Sequence, residues 1–530
     1  MANIVELFLA RAASAPDAVA LIDRHRGRDR ATTFAELETQ GARLATMLSR
    51  HGVGIGSPVL LFHPPSAELY AVLIAIFRLG AIAMVIDVSA GRGTLDAACQ
   101  ALPPVALFAS GRGLLFARLS RTLRRIPMKL TSARFAPGAS RMASAASLPR
   151  NDVVAAVSGD APALVTFTSG STGTAKGAVR SHDVLRAQHE ALGTVAAAAG
   201  ERDLVSLPIV VLTNLAAGAT SVIPDGDLRR PGSVDPVPVL GQARRSRVDR
   251  ITASPALVER LVAGASLSNA RSASLLRGVR IVTGGGPVFP DLIARTTEIT
   301  GAELLAVYGS TEAEPIAHVS STDIGEDELK AMRGGAGLIA GHPVPETAVR
   351  IVPPTAIDSR QHEAVLRGTE RVAAETRGEI VVSGRHVVPG YLHGRGDAGT
   401  KIRVDSVVWH RTGDAGYLDA SGRLWLLGRV HGTIADSRGS LYPFAVECAA
   451  RLLLPGRRNV LVAHRGQRIL LVEGHLHASD GSALEAGLRW AMLDRIIGGV
   501  DIPLDRRHNS KVDYRALSKL VAELLPPNAG

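Results

Sequence analysis

The sequence predicts an α/β fold: a large N-terminal portion built on α/β sheets, followed by a small α+β domain. Short apolar runs with the length of buried strands alternate with helical patterns, as in parallel βαβ units. Several of those runs end in glycine turns, at Gly170, at Gly284 to Gly286 and at Gly309, the position where open α/β sheets bind ligands. The length of 530 residues exceeds what one hydrophobic core organises, so two or more domains are expected.

Taken in order, Thr33 to His51 has the apolar spacing of an amphipathic helix, with Thr33 as N-cap. Pro58 to Phe62 reads as a strand, Glu68 to Leu79 as a helix and Ala81 to Asp87 as a strand. The longest apolar region, Leu69 to Ile86, is cut by Arg78 and Gly80, which suits a buried helix and strand rather than a membrane span. Glu6 and Arg11 interrupt the N-terminus where a signal peptide needs an unbroken apolar run. Two cysteines, Cys99 and Cys448, make neither a disulfide framework nor a zinc site, so a cytoplasmic setting is expected.

The net charge is +11, and only six of the 60 basic residues are lysines. A lysine that survives such an arginine bias is informative, because the two side chains differ in geometry and pKa. No acidic residue occurs between Asp96 and Asp152. Within that stretch, segment 112–134 carries Arg112, Arg118, Arg121, Arg124, Arg125, Lys129 and Arg134. Leu114, Leu115, Leu119 and Leu123 interleave with them at helical spacing. This is either a solvated helix face or a basic amphipathic helix for an anionic membrane surface or a pathway enzyme. No nucleic-acid module accompanies the charge, so nucleic acid is not expected as a partner.

The most informative stretch is Leu164 to Gly177. A strand, Leu164 to Phe167, runs into a loop holding Thr168, Ser169, Gly170, Ser171, Thr172, Gly173 and Lys176. Glycines let backbone N–H groups approach a ligand, hydroxyls add donors, and a lysine adds a mobile positive charge suited to a polyphosphate. The spacing differs from the P-loop G-x-x-x-x-G-K-S/T, because Ala175 precedes Lys176 and Gly177 follows it, which argues against a kinase or GTPase. The stretch resembles the phosphate loop of the adenylate-forming superfamily: acyl-CoA synthetases, firefly-type luciferases and peptide-synthetase adenylation domains. Ala175 replaces that family's proline, which costs stiffness but no chemistry.

That resemblance gives meaning to later segments. Asp203 to Asp225 reads as strand, loop and strand, with Val211, Leu212, Thr213 and Asn214 where many acyl-CoA synthetases carry a gate. An apolar acid pocket, and with it a long-chain carboxylic acid substrate, is expected there. Gly284, Gly285, Gly286 and Pro287 match the segment lying along adenine. Tyr308, Gly309, Thr311 and Glu312 match the Y-G-x-T-E motif. An aromatic can stack on adenine, a threonine can bond the α-phosphate, and a carboxylate can hold Mg²⁺ between phosphates. Gly378 to Tyr391 looks like strand and turn from the family's small distorted β-barrel. Asp414, in a T-G-D triplet, matches the carboxylate that holds both ribose hydroxyls. Arg429 matches the arginine closing the nucleotide site.

The resemblance implies an adenylation domain over 1–428, a hinge at 429–431 and a mobile lid over 432–530. His431 replaces the family's hinge aspartate. Lys511 matches the catalytic lysine of the terminal motif, with Ser510 in place of glycine. Such an ammonium can bridge the acid carboxylate and the α-phosphate as charge builds. The block around Trp409 to Arg429 and the Arg507 to Lys511 ending look like the β-lactone synthetases of bacterial olefin biosynthesis. The implied reaction uses ATP and Mg²⁺ to adenylate a β-hydroxy acid, whose own hydroxyl then displaces AMP. His508 either takes the hydroxyl proton or is a cap or surface histidine. An acyl-CoA or acyl-carrier ligase, which would add CoA, and a non-catalytic nucleotide-binding relative are the alternatives. Intact Lys176, Glu312, Asp414, Arg429 and Lys511 argue against the last.

Overall fold

A computed structural model describes residues 3–86, 91–169, 175–267, 276–353, 359–368, 373–505 and 511–525. Two large sheets organise the chain up to about residue 429. The first has seven strands in the order Ser140–Arg141, Met128–Thr131, Ala106–Ala109, Pro58–Phe62, Ile82–Ile86, Pro162–Ser169, Ala175–Ser181. All its pairs are parallel except the last. The second begins as a parallel sheet through Val19–His25, Thr220–Val222, Arg202–Val205, Arg250–Ala253, Arg280–Gly284 and Leu304–Ser310. It continues without a break into the antiparallel strands Ala313–Ser320, Leu338–Pro343, Leu424–Arg429, Val407–Leu418, Gly378–Ser383 and Ala348–Val352. Beyond it lies a small α+β unit. Its three-stranded sheet, Asn459–His464, Gln467–Glu473 and Arg495–Val500, packs against the helix Pro443–Leu453.

The early elements follow their local signals. The helix Phe34–Arg50 starts at Thr33, whose hydroxyl accepts from the Glu36 N–H while the Glu36 carboxylate accepts from the Thr33 N–H. Helix Ala67–Arg78 is apolar on nearly every face because it is buried between the two sheets. Arg78 closes it with its guanidinium on Glu38 at 2.6 Å.

Two expectations change. The middle of Asp203 to Asp225 is a helix, Pro208–Ala217, rather than a loop. Proline opens it and Gly218 ends it in the left-handed region, φ 84°; its even apolarity hides the helical period. The basic segment is broken at Ser120 into helices Gly111–Leu119 and Arg121–Arg124, because the Ser120 hydroxyl caps the second at the Leu123 N–H. Leu123 is consequently buried, whereas Leu115 and Leu119 remain 62% and 75% exposed.

Candidate active site

The strands Pro162–Ser169 and Ala175–Ser181 pair in antiparallel register, with Thr168 opposite Lys176. The register returns Lys176 to the end of the sheet where the glycine loop begins. Gly170, Ser171, Thr172 and Gly173 lie outside the described residues, as do the side chains of Thr168 and Ser169. The Lys176 ammonium stands 5.6 Å from the centre of the Tyr391 ring. Its stem lies against Gly396, where a Cβ would come within 3.0 Å of Nζ. The Tyr391 hydroxyl donates to Glu312 Oε1 at 2.7 Å. One aromatic side chain therefore joins the lysine of the first motif to the carboxylate of the second.

Two further groups, Lys401 and His410, act on that carboxylate. Lys401 is buried, donates to the Val388 carbonyl, and also lies 5.6 Å from the Tyr391 ring centre. Val388 in turn donates its N–H to the Glu312 carbonyl at 2.8 Å. Burial pushes the Lys401 amine down to about 8, although Glu312 works against it. Burial and Lys401 together lower His410 to about 4, so it is neutral at physiological pH. Burial opposes ionisation of Glu312, but the Tyr391 hydroxyl and neighbouring cations outweigh it and hold its carboxyl below the ordinary value. Among the described residues no group of three or more His, Cys, Asp or Glu side chains could hold a metal ion. One ionised carboxylate fits a Mg²⁺ that takes its other ligands from phosphate oxygens and water.

Arg180 ties the two motifs together through its guanidinium. It donates to Thr166 Oγ1 at 3.0 Å and to the Thr311 carbonyl at 2.5 Å. Tyr308, at the end of its strand, donates its hydroxyl to Asp414 Oδ2 at 2.8 Å. Arg429 reaches Asp414 Oδ1 at 3.2 Å and the Thr412 carbonyl at 3.2 Å. Strand register fixes this corner, because Asp414 and Arg429 are direct partners across the Val407–Leu418 and Leu424–Arg429 pair.

Gly284 ends its strand under the same edge. A Cβ there would lie 2.6 Å from the Val307 carbonyl oxygen, so only glycine permits this strand spacing. Gly285 follows at φ 82°, and Gly286 and Pro287 continue the turn. A cleft lies here, walled by Gly284, Gly285, Gly309, Val210, Thr213 and Glu314 among others. A second, mostly apolar hollow shares Thr213 with it and reaches Phe8, Phe77 and Leu212.

Of the four expected gate residues, Thr213 alone lines the first cleft. Asn214 points away, donating to the buried Asp203 at 3.1 Å and to Ser221 at 3.1 Å. Asp203 also accepts from Thr252, so this network anchors the helix forming the pocket wall.

Lys511 belongs to the small unit. Its backbone is held by Asp505, whose N–H donates to the Lys511 carbonyl at 2.8 Å and whose side chain accepts from the Lys511 N–H at 3.2 Å. The charges of Arg180 and Lys511 both act on the Glu314 carboxyl, which burial nevertheless raises above its ordinary value. His508 lies outside the described residues. At the expected hinge, His431 meets Tyr514 edge-on at 5.7 Å, and the charges of Arg429 and Asp414 reach Tyr514.

Sequence reasoning passed over Tyr391, Lys401, Arg180 and Glu314. Lys401 carried a usable signal, since it is one of only six lysines.

The AMP-binding enzyme family matches residues 8–392. Two olefin β-lactone synthetases are similar along nearly their whole length. The one from Stenotrophomonas maltophilia is 30% identical, covering 92% of this chain and 90% of the relative. The one from Xanthomonas campestris pv. campestris is 31% identical, covering 93% and 91%. The amide bond synthetase McbA from Marinactinospora thermotolerans shares the fold, with a TM-score of 0.77, 22% identity and coverage of 98% and 99%. With this match over most of its length, and with the two motifs, one on each large sheet, joined through Tyr391 and Arg180, the chain belongs to the AMP-binding family of adenylate-forming enzymes, which activate acids with ATP.

Proposed function

We propose that this enzyme activates a long-chain 3-hydroxy fatty acid as its acyl-adenylate and then closes it to a β-lactone. Pyrophosphate leaves in the first step. In the second, the 3-hydroxyl oxygen bonds to the acyl carbon, the bond from that carbon to the phosphate oxygen breaks, and AMP leaves with the electron pair. The hydroxyl proton passes to a base, for which His508 is the candidate from sequence. No thiol takes part, because the nucleophile is tethered to the electrophile and its effective concentration is high.

The observation that carries adenylation is the joining of Lys176, Tyr391 and Glu312 beside the Tyr308–Asp414–Arg429 corner. In this reading the Thr168 to Gly173 loop and Lys176 grip the polyphosphate, and Thr311 bonds the α-phosphate. Glu312 holds Mg²⁺, which offsets phosphate charge when bound. Gly284 to Pro287 and Tyr308 flank adenine, while Asp414 and Arg429 hold the ribose end. Lys511 meets charge developing between carboxylate and α-phosphate. Residues 1–428 act as the adenylation domain, 429–431 as hinge and 432–530 as the moving lid.

A long acyl chain is supported by the apolar hollow beyond Thr213. Lactone closure is supported by similarity to β-lactone synthetases over nine-tenths of the chain. The exposed Leu115 and Leu119, set among arginines, support contact with an anionic membrane surface by a cytoplasmic enzyme.

Mass spectrometry of the products from ATP, Mg²⁺ and a 3-hydroxy fatty acid, with and without CoA, tests the reading. Lactone and AMP without CoA are expected. CoA-dependent thioester from both the hydroxy acid and its deoxy analogue, with no lactone, identifies an acyl-CoA ligase instead.

A further inference from the structure

The acid cleft contains one feature that a pocket for a plain alkyl chain does not need. Leu192, Val195, Leu207, Val210, Val282 and Val307 give it an apolar wall, yet Glu314 opens into it as the one charged side chain among its described lining residues. The strand start that carries Glu314 lies against Gly309, where a Cβ would come 3.3 Å from the Glu314 Cα. Gln188, 3% exposed on the helix His182–Ala191, reaches the carboxylate with Nε2 at 3.5 Å. Its own Oε1 is buried without a hydrogen-bond partner, and so is Thr283 Oγ1 on the cleft floor. Gln188 also lines the second hollow, so this polar group stands where the two spaces meet. A buried acceptor left unpaired costs free energy, and native proteins keep such atoms where a ligand or water completes them.

We infer that Glu314, positioned by Gln188, is the specificity-determining acceptor for the 3-hydroxyl group of the acid. The inference rests on the proposed substrate class. Its geometry follows from the cleft that Glu314 lines and from the Gln188 bond, and the charge of Lys511, whose proposed station is the acid carboxylate, also reaches Glu314. A 3-hydroxyl lies only two carbons from that carboxylate, so the same neighbourhood holds it. Arg180 and Lys511 offset the repulsion between Glu314 and the substrate carboxylate. An unsubstituted acid fills the same volume but leaves Glu314 without the donor it faces. A site built to bond a hydroxyl rejects the analogue lacking it far more strongly than an apolar pocket rejects one methylene. A role as counter-ion of Lys511 predicts something different: both acids would respond alike to loss of Glu314.

The test is ATP–pyrophosphate exchange with 3-hydroxydodecanoate and dodecanoate, read as the ratio of their kcat/KM values. This half-reaction needs only adenylation, so it is independent of lactone closure. The wild type should prefer the hydroxy acid. Glu314→Ala should cut the ratio by roughly 10- to 100-fold, as expected for loss of a hydrogen bond to a charged group. Glu314→Gln, which keeps an acceptor, should restore most of it. Gln188→Leu, nearly isosteric, should lower the ratio in the same direction and decides the matter should Glu314→Ala fail to fold. Unchanged ratios with parallel losses for both acids overturn the inference, and so does a wild type that exchanges the two acids equally. A wild type that prefers the hydroxy acid but forms no lactone overturns the product assignment and leaves this site standing.

Discussion

Tyr391 donates its hydroxyl to Glu312 at 2.7 Å while two lysine ammonium groups, Lys176 and Lys401, stand 5.6 Å from its ring. The carboxylate proposed to hold Mg²⁺ is thus oriented by a residue that also senses the phosphate-loop lysine. Supporting groups of this kind matter for metal affinity by roughly 10- to 100-fold. Tyr391→Phe keeps the ring and removes the hydrogen bond. It should raise the Mg²⁺ concentration needed for half-maximal pyrophosphate exchange by about tenfold, with a smaller change in the rate at saturating metal. An unchanged metal requirement would separate Tyr391 from Glu312 functionally.

Lys511, Asp414 and Lys176 should divide the work of adenylation. Lys511→Ala should reduce exchange by roughly 10²- to 10³-fold with ATP affinity nearly intact, because the lysine acts on charge that appears in the transition state. Asp414→Ala should instead weaken ATP binding, since it removes the partner of both Tyr308 and Arg429. Lys176→Ala should be milder than Lys511→Ala, its share being the grip on pyrophosphate. Exchange rates and ATP affinities of the three variants check this, and equal affinity losses in all three contradict it.

Glu447 should make the stability of the small unit pH-dependent. It is 4% exposed on the helix Pro443–Leu453 and accepts from the Leu461 N–H at 3.1 Å. Burial raises its carboxyl from the ordinary 4.5 to about 7, against the pull of that hydrogen bond and of Arg451. The folded state therefore holds a proton that the unfolded state releases between those values. Stability falls as pH rises from 4.5 to 7, then levels off, the full penalty being roughly 3 kcal/mol. Glu447→Gln should flatten this dependence and raise the thermal midpoint at about pH 8 more than at about pH 5. A midpoint that moves equally at both pH values rules the carboxyl out as the cause.

The parts of this architecture that sequence foretold are those written in local periodicity and capping. Thr33 and Glu36 announce a helix start, and alternating strands and helices announce a parallel sheet. The helix Pro208–Ala217 was obscured because a helix buried on most sides has no polar stripe to reveal its period. Tyr391 and Glu312 are 79 positions apart, and no spacing rule links them. Their meeting depends on the bridge between Ala178 and Tyr391, which is a property of the tertiary fold. Glu314 stands two residues past a recognised motif, and its sequence neighbours give no sign that it opens into the cleft.

The basic segment should bind anionic lipid. Leu115 and Leu119 are exposed, and Phe135 is 86% exposed just beyond them. Nine basic and no acidic residues occur between Asp96 and Asp152. Vesicles containing phosphatidylglycerol should sediment the enzyme while neutral phosphatidylcholine vesicles do not, and salt should weaken the binding. Replacing Leu119 and Phe135 by Ser should abolish it without altering pyrophosphate exchange. Equal binding to neutral vesicles would remove the electrostatic part of the argument.

Gly284 and Gly285 should fail in different ways when given a side chain. At Gly285 there is nothing within 4 Å of the added Cβ, but φ is 82°, so alanine pays only the left-handed backbone penalty of roughly 1–2 kcal/mol. At Gly284 the added Cβ meets the Val307 carbonyl oxygen at 2.6 Å. That atom is backbone in the neighbouring strand and cannot swing aside, and Val307 itself lines the acid cleft. Relief requires the two strands to part, which shifts Tyr308 and with it the Asp414 corner. Gly285→Ala should therefore lower the thermal midpoint with ATP affinity largely kept. Gly284→Ala should lower both, with ATP affinity falling at least about tenfold, since displacement of about an ångström at a positioning strand has that scale of effect. Titration of both variants with ATP, alongside their melting curves, distinguishes the two. Wild-type affinity in Gly284→Ala would mean that the close approach of these strands does not set the geometry of the nucleotide site.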